Sequence, residues 1–146
     1  MIKKNFNSVL IIGMGLIGSS LSRAIYKNHL ANNVFGIDTN EDVIKKCEKL
    51  NLLLKIDTNI NNYKQQFDLI IICTPLGTYK EIFASLNQFV TKPTLVTDVG
   101  STKVSAIQDF REQVTNTNIQ FLPSHPIAGL EKSGPEHGIA NLFENR

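Results

Sequence analysis

Cysteine is nearly missing from this chain of 146 residues: it has two, Cys47 and Cys73. Two cysteines make no disulfide framework, and no His/Cys cluster has the spacing of zinc ligands, so no metal site is expected. Long apolar runs are missing too. Val9–Ile12 is short and ends in glycine, unlike a signal peptide, and nothing approaches the roughly 20 apolar residues of a membrane span. Net charge is small: fifteen Lys and Arg against thirteen Asp and Glu leave a formal +2. No basic run with interleaved aromatics occurs, and the Lys3–Lys4 pair reads as a solvated terminus. Neither nucleic acid nor a membrane is therefore an expected partner. What these absences leave is a reducing, cytoplasmic setting. With 42% apolar and 19% charged residues, the chain reads as one soluble globular domain.

What is present is a regular alternation. The spacing predicts strands at Ser8–Ile12, Asn33–Asp38, Leu53–Ile56, Leu69–Cys73, Leu95–Asp98 and Ile119–Leu122. Between them it predicts helices from about Leu16 to Lys27, Glu41 to Leu50 (capped by Thr39 or Asn40), Thr78 to Leu86, and Lys103 to Gln113. Strands alternating with helices argue for a doubly wound α/β fold, a parallel sheet covered on both faces. In such a sheet ligands bind beyond the carboxyl ends of the strands. That rule singles out Gly13–Gly18, Asp38–Asn40, Cys73–Gly77, Asp98–Lys103 and the segment from Ser124 onward.

Gly13-Met14-Gly15-Leu16-Ile17-Gly18 matches G-x-G-x-x-G between a predicted strand and a predicted helix. In that context Gly13 makes the tight turn and Gly15 lets a pyrophosphate approach the backbone. Gly18 lets the helix pack closely on the strand, and the N–H groups of Leu16 and Ile17 open the helix toward an anion. Asp38 ends the next strand about 20 residues on, where an acid binds an adenosine ribose. A carboxylate there, with Thr39 and Asn40 after it and no arginine, favours NAD over NADP. The competing reading is a plain glycine turn followed by a capping aspartate.

The later strand ends are polar. In "CTPLG" Thr74 and Pro75 form a loop that can lie against a cofactor, or an ordinary turn capped by Thr78. Cys73 reads as a buried apolar residue, not a nucleophile. "DVGSTK" packs Asp98, Ser101, Thr102 and Lys103 into one turn, with Asp98 counted among the cofactor-binding residues. Ser101 or Thr102 is expected to cap the next helix. Lys103 stays open between a solvated lysine, an ion-pair partner of Asp98 and a substrate-side cation. His125 is the candidate for proton chemistry: its unperturbed pKa is near 6.5, it stands at a strand end beside Ser124, and Pro126 favours an extended backbone at residue 125. His29 and His137 read as surface residues.

With these residues in place the chain resembles the nucleotide-binding domain of the prephenate/arogenate dehydrogenase family. The likeness rests on "GMGLIGSS", "CTPLGTY", "TDVGSTK" and "SHPIAGLEKSGPEHG", in that order, from about Val9 to Asn145. It implies a Rossmann-type domain, NAD as cofactor, and oxidative decarboxylation of prephenate or arogenate on the route to tyrosine. It also implies that His125 meets the ring hydroxyl and that Ser101 lies near that hydroxyl and the nicotinamide, with Glu131 at the substrate entrance. Ser124 would face the nicotinamide, Gly129 would turn the chain toward Glu131, and Lys132–Gly138 would form the rim. Leu130 departs from the small polar residue common in the family. The family also carries a helical domain with the dimer interface and a substrate-binding arginine, so activity is expected only with that domain present and a homodimer only for the full length. Two other readings stand beside this one: a non-catalytic NAD-binding module, and another small dehydrogenase of the hydroxyacid or imine type.

Overall fold

The computed structural model describes residues 5–146, so the Lys3–Lys4 pair lies outside the described residues. Among these, six parallel strands form one sheet: β1 (Phe6–Ile12), β2 (Ala31–Ile37), β3 (Lys55–Asp57), β4 (Leu69–Ile72), β5 (Thr94–Asp98) and β6 (Ile119–Leu122), in the order β3-β2-β1-β4-β5-β6. Four α-helices connect them: α1 (Leu16–Lys27), α2 (Glu41–Lys49), α3 (Tyr79–Phe89) and α4 (Lys103–Gln113). The strand order reverses between β1 and β4, and the crevice at that reversal is where such sheets hold ligands.

Side chains on a strand alternate between faces, so a central strand buried on both sides must be apolar throughout. The inner part of β1, Val9–Ile12, does this: Leu10 and Ile12 join the core under α3 and α4, with Phe83, Leu86 and Ala106, while Val9 and Ile11 join the core under α1 and α2, with Ile25 and Cys47. Each such side chain contributes about 1.5–3 kcal/mol on burial. α2 is capped as expected, Asn40 accepting from the Asp42 N–H at 2.9 Å, and acidic residues fill its first turn.

The sequence expectations fail in several places, each for a physical reason. β3 begins two residues later than predicted because Leu52 and Leu53 pack beneath α2, and the ladder starts at Lys55, opposite Phe35. α3 continues to Phe89, whose ring stacks on Phe67 at 6.1 Å. Leu122, the last residue of β6, is 55% exposed, since β6 is an edge strand and Leu122 takes the outward position after Phe121. Neither Thr78 nor Thr102 makes a side-chain cap; their hydroxyls bond Thr74 and Ser105 instead, and Ser101 lies one residue ahead of the cap. The exposed His29, with φ 53°, follows the C-cap of α1 in the left-handed conformation common there, whereas His137 is half-buried.

The segment expected as a substrate rim divides. Lys132 and Ser133 are exposed, but Pro135 and Gly138 are buried against α1. Arg23 donates to Pro135 O at 3.0 Å, the Ile139 N–H donates to Ser20 Oγ at 3.0 Å, and Lys46 pairs with Glu136 at 2.7 Å. A side chain at 138 would collide with Ser19 Oγ. The small residues of α1 thus let the tail lie directly on the helix, and Ser19 and Ser20 are buried there.

Candidate functional site

The glycine loop crosses the sheet edge between β1 and β4. Gly13 has φ +93°, and a Cβ there would stand 2.9 Å from the Cys73 carbonyl. A Cβ on Gly18 would run into Gly13 O, so α1 leaves the loop at a contact only hydrogen permits. At Gly15 the space is open: no heavy atom lies within 4 Å of where a Cβ would be. The Ser19 N–H makes its backward bond to Gly15 O at 3.0 Å, so the N–H groups of Leu16 and Ile17 ahead of it have no intrahelical acceptor. No side chain caps this end and no acid lies in its first turn. The positive end of the helix is therefore free for an anion.

Asp38 braces the same loop. Its Oδ2 accepts from the Met14 N–H and its Oδ1 from the Asn40 N–H, both at 2.9 Å. Each oxygen keeps a further lone pair. Asp38 and Thr39 form one wall of a cleft of about 560 Å³, with Gly13, Gly15, Thr74 and Pro75 beside them. The expected residues Gly13, Gly15, Asp38, Thr39, Thr74 and Pro75 thus come together, and Leu16, Ile17 and Gly18 adjoin them on α1. Sequence reasoning missed Thr58, Asn59 and Glu81, which complete the cleft; only the chain's path beyond β3 and along α3 brings them there. Burial, and then the Asp98 charge, push the Cys73 thiol upward, which keeps it protonated and unreactive.

A second cleft, about 250 Å³, opens on the face of the sheet that carries α1. Ser124, His125 and Pro126 line it with Thr97, Asp98, Leu21 and Ile71. His125 is exposed. Thr97, another residue the sequence did not flag, donates to Leu122 O at 2.7 Å and stands 3.1 Å from Ser124 Oγ. Ser101, Gly129 and Glu131 are exposed and do not line this cleft. Between His125 and Gly129 the left-handed residue is Ile127, with φ 46° and 74% exposure. A β-branched residue rarely takes that conformation.

One assignment needs correction. Asp98 does not offer its carboxylate to a cofactor: the side chain is 0% exposed and the chain's own donors occupy it. Its Oδ2 accepts from the Tyr79 hydroxyl and the Gly100 N–H, both at 3.0 Å, and from Lys103; its Oδ1 accepts from the Ser124 N–H at 3.0 Å. Of the three roles left open for Lys103, the structure shows the ion pair with Asp98; its partly exposed ammonium also donates to Ser124 O. Burial first, then the Asp98 charge, raise the Tyr79 hydroxyl well above the ordinary tyrosine value, so it serves as a donor.

The family model for the nucleotide-binding domain of prephenate dehydrogenase matches residues 21–146. The cyclohexadienyl dehydrogenase of Zymomonas mobilis is 34% identical over 140 residues, 96% of this chain and 47% of that protein. The prephenate dehydrogenase of Bacillus subtilis is 35% identical over 141 residues, 95% of this chain and 38% of that protein. Among solved structures, prephenate dehydrogenase of Aquifex aeolicus, crystallised with hydroxyphenyl propionate and NAD+, superposes with a TM-score of 0.87 at 30% identity, covering 95% of this chain and 48% of that one. The chain spans less than half the length of each of these relatives. Since the family model covers most of the chain and these similarities run across nearly all of it, the chain belongs to the prephenate dehydrogenase family, to the part of it that binds the nucleotide.

Proposed function

We propose that the chain binds NAD across the carboxyl edge of its sheet and serves the oxidative decarboxylation of a small-molecule substrate, prephenate or arogenate, in the formation of tyrosine. The observation that carries this reading is the pairing of two clefts on one sheet edge. An open, uncapped helix N-terminus with Gly15 free above it adjoins one cleft, and His125 lines the other. The residues fit the dinucleotide: room at Gly15, free N–H groups at Leu16 and Ile17, and a carboxylate with spare lone pairs at Asp38.

When bound, NAD supplies the hydride acceptor. The chain's residues hold and orient it. Leu16 and Ile17 take the pyrophosphate, Asp38 accepts from the ribose hydroxyls, and Thr39, Thr74 and Pro75 bound the cleft. Asp38 and Glu81 are the charged side chains lining that cleft; both are acidic and would repel a 2′-phosphate. His125 would take the proton of the ring hydroxyl, with Ser101 near that hydroxyl and Ser124 facing the nicotinamide. The resulting ketone is conjugated toward the ring carboxylate. Breaking the bond to carbon dioxide returns its electron pair to the ring, which becomes aromatic, so this step needs little help. Gly129 and Glu131 belong to the substrate side. A homodimer of the full-length protein and a cytoplasmic location complete the reading; no helix among the described residues is long and apolar enough to cross a membrane.

The test is reduction of NAD and of NADP with prephenate and with arogenate, for this chain alone and joined to the helical domain that the family carries, alongside titration of both nucleotides. The expected result is turnover of at least one substrate in the joined form, and NAD binding tighter than NADP by roughly tenfold or more. Nucleotide binding without turnover of either substrate would favour a non-catalytic module, and equal or tighter NADP binding would overturn the role of Asp38.

A further inference from the structure

We infer that Asp98 and Lys103 act as a positioning clamp that sets the loop carrying His125 against the loop carrying Ser101. The inference rests on the reading of His125 as the proton acceptor and adds two residues that touch neither substrate nor nucleotide.

The β5–β6 ladder ends at the pair Thr97 and Leu122. Beyond it no strand pairing holds the chain, yet Ser124, the residue before His125, is gripped at both of its backbone polar groups. Its N–H donates to Asp98 Oδ1 at 3.0 Å, and its carbonyl accepts from Lys103 Nζ at 2.5 Å. The same carboxylate takes the Gly100 N–H at 3.0 Å, one residue before Ser101. One ion pair, its carboxylate fully buried and its ammonium partly so, thus holds the residue before each proposed reacting side chain. Two further features support it. The Tyr79 hydroxyl, from α3, holds Oδ2 from behind at 3.0 Å. At Gly100 a Cβ would stand 2.7 Å from Leu76 Cδ2 and 2.9 Å from both Asp98 Oδ2 and Tyr79 Oη, so a side chain there would press on the clamp.

Stability alone explains this arrangement poorly. A buried ion pair is often no more stabilising than apolar residues of the same volume, whereas removing one partner alone is strongly destabilising. What the pair provides is orientation, and misplacement by about 1 Å can cost roughly 10²-fold in rate.

That contrast supplies the experiment. Lys103→Met and the double variant Asp98→Asn/Lys103→Met, each joined to the helical domain, are compared with the parent in the same joined form in thermal midpoint, NAD affinity, kcat and KM for the substrate, and hydrogen exchange at the amides of residues 99–101 and 124–125. Lys103→Met should lower the thermal midpoint. The double variant, which leaves no lone buried charge, should recover most of it. In both variants those amides should exchange faster and kcat should fall about 10²-fold, with NAD affinity held within about twofold.

Recovery of kcat together with the midpoint in the double variant would show the pair to be structural only. Unchanged exchange at 124–125 would show that there is no clamp. A parent that binds NAD but oxidises neither substrate would sink the reading of the reaction and the clamp's catalytic purpose with it. Equal turnover in the parent and the double variant would sink the clamp alone.

Discussion

The two halves of the sheet's carboxyl edge are built by opposite means. The nucleotide half, between β2 and β4, relies on backbone: a left-handed Gly13, a close contact at Gly18, open space at Gly15, and one acid tied to the loop it serves. The half proposed to carry the reaction, beyond β5 and β6, relies on side chains. His125 and Ser101 are exposed, and one buried carboxylate holds the loops that carry them. A phosphate-binding surface needs N–H groups and room, which short-range geometry supplies. A proton-transfer site needs side chains from separate loops, which only long-range contacts can align.

Substitutions can break this division. The largest effect is expected from His125→Asn, which should cut turnover by about 10²–10⁴-fold while leaving NAD affinity unchanged; loss of NAD binding in that variant would merge the two halves. Next comes Gly18→Ala, whose new Cβ has nowhere to go. A calorimetric scan should show a loss of about 1–3 kcal/mol or more, with nucleotide binding falling alongside it. Gly15→Ala sharpens the contrast. It meets no protein atom, so the melting temperature should hold while NAD affinity drops roughly tenfold, about 1.4 kcal/mol. A drop in melting temperature without a change in affinity would reverse the roles given to these two glycines.

The smallest effect lies at the outer edge of the nucleotide half. The Asn62 amide first, with the Thr58 N–H and Lys55, holds the Asp57 carboxyl at about 2, below its ordinary 3.8. A depressed carboxyl stabilises the fold above its unfolded value, and that contribution disappears as pH falls through the folded one. Parent and Asp57→Asn should therefore differ slightly in melting temperature at neutral pH and converge between about pH 4 and pH 2. A gap that persists at pH 2 would assign the difference to something other than this titration.

The nucleotide half was legible in the sequence. Strand, glycine turn, helix and acid follow one another within the β1-α1-β2 unit, and each step is set by local backbone freedom and by alternation of apolar residues. The reaction half was legible only as a set of residues. His125 and Ser124 line one cleft, but the Asp98 carboxylate is buried and paired with Lys103. Their partners Tyr79 and Ser124 are 19 and 26 positions from Asp98, too far for any local pattern to indicate. The left-handed residue of this segment is Ile127, which no glycine or turn signal in the sequence marks. Pro135 and Gly138 both looked like loop residues, yet the small side chains of α1 draw them into contact.

The sequence by itself determined the order of the elements, the burial of β1 and β4 on both faces, and the anion site at α1. These follow from periodicity, glycine geometry and helix polarity within short stretches of chain. Tertiary structure alone decided that β5 lies beside β6, and hence that one carboxylate reaches Tyr79, Gly100, Lys103 and Ser124 at once. A hydrogen-bond network across four segments exists only after the sheet has set them side by side.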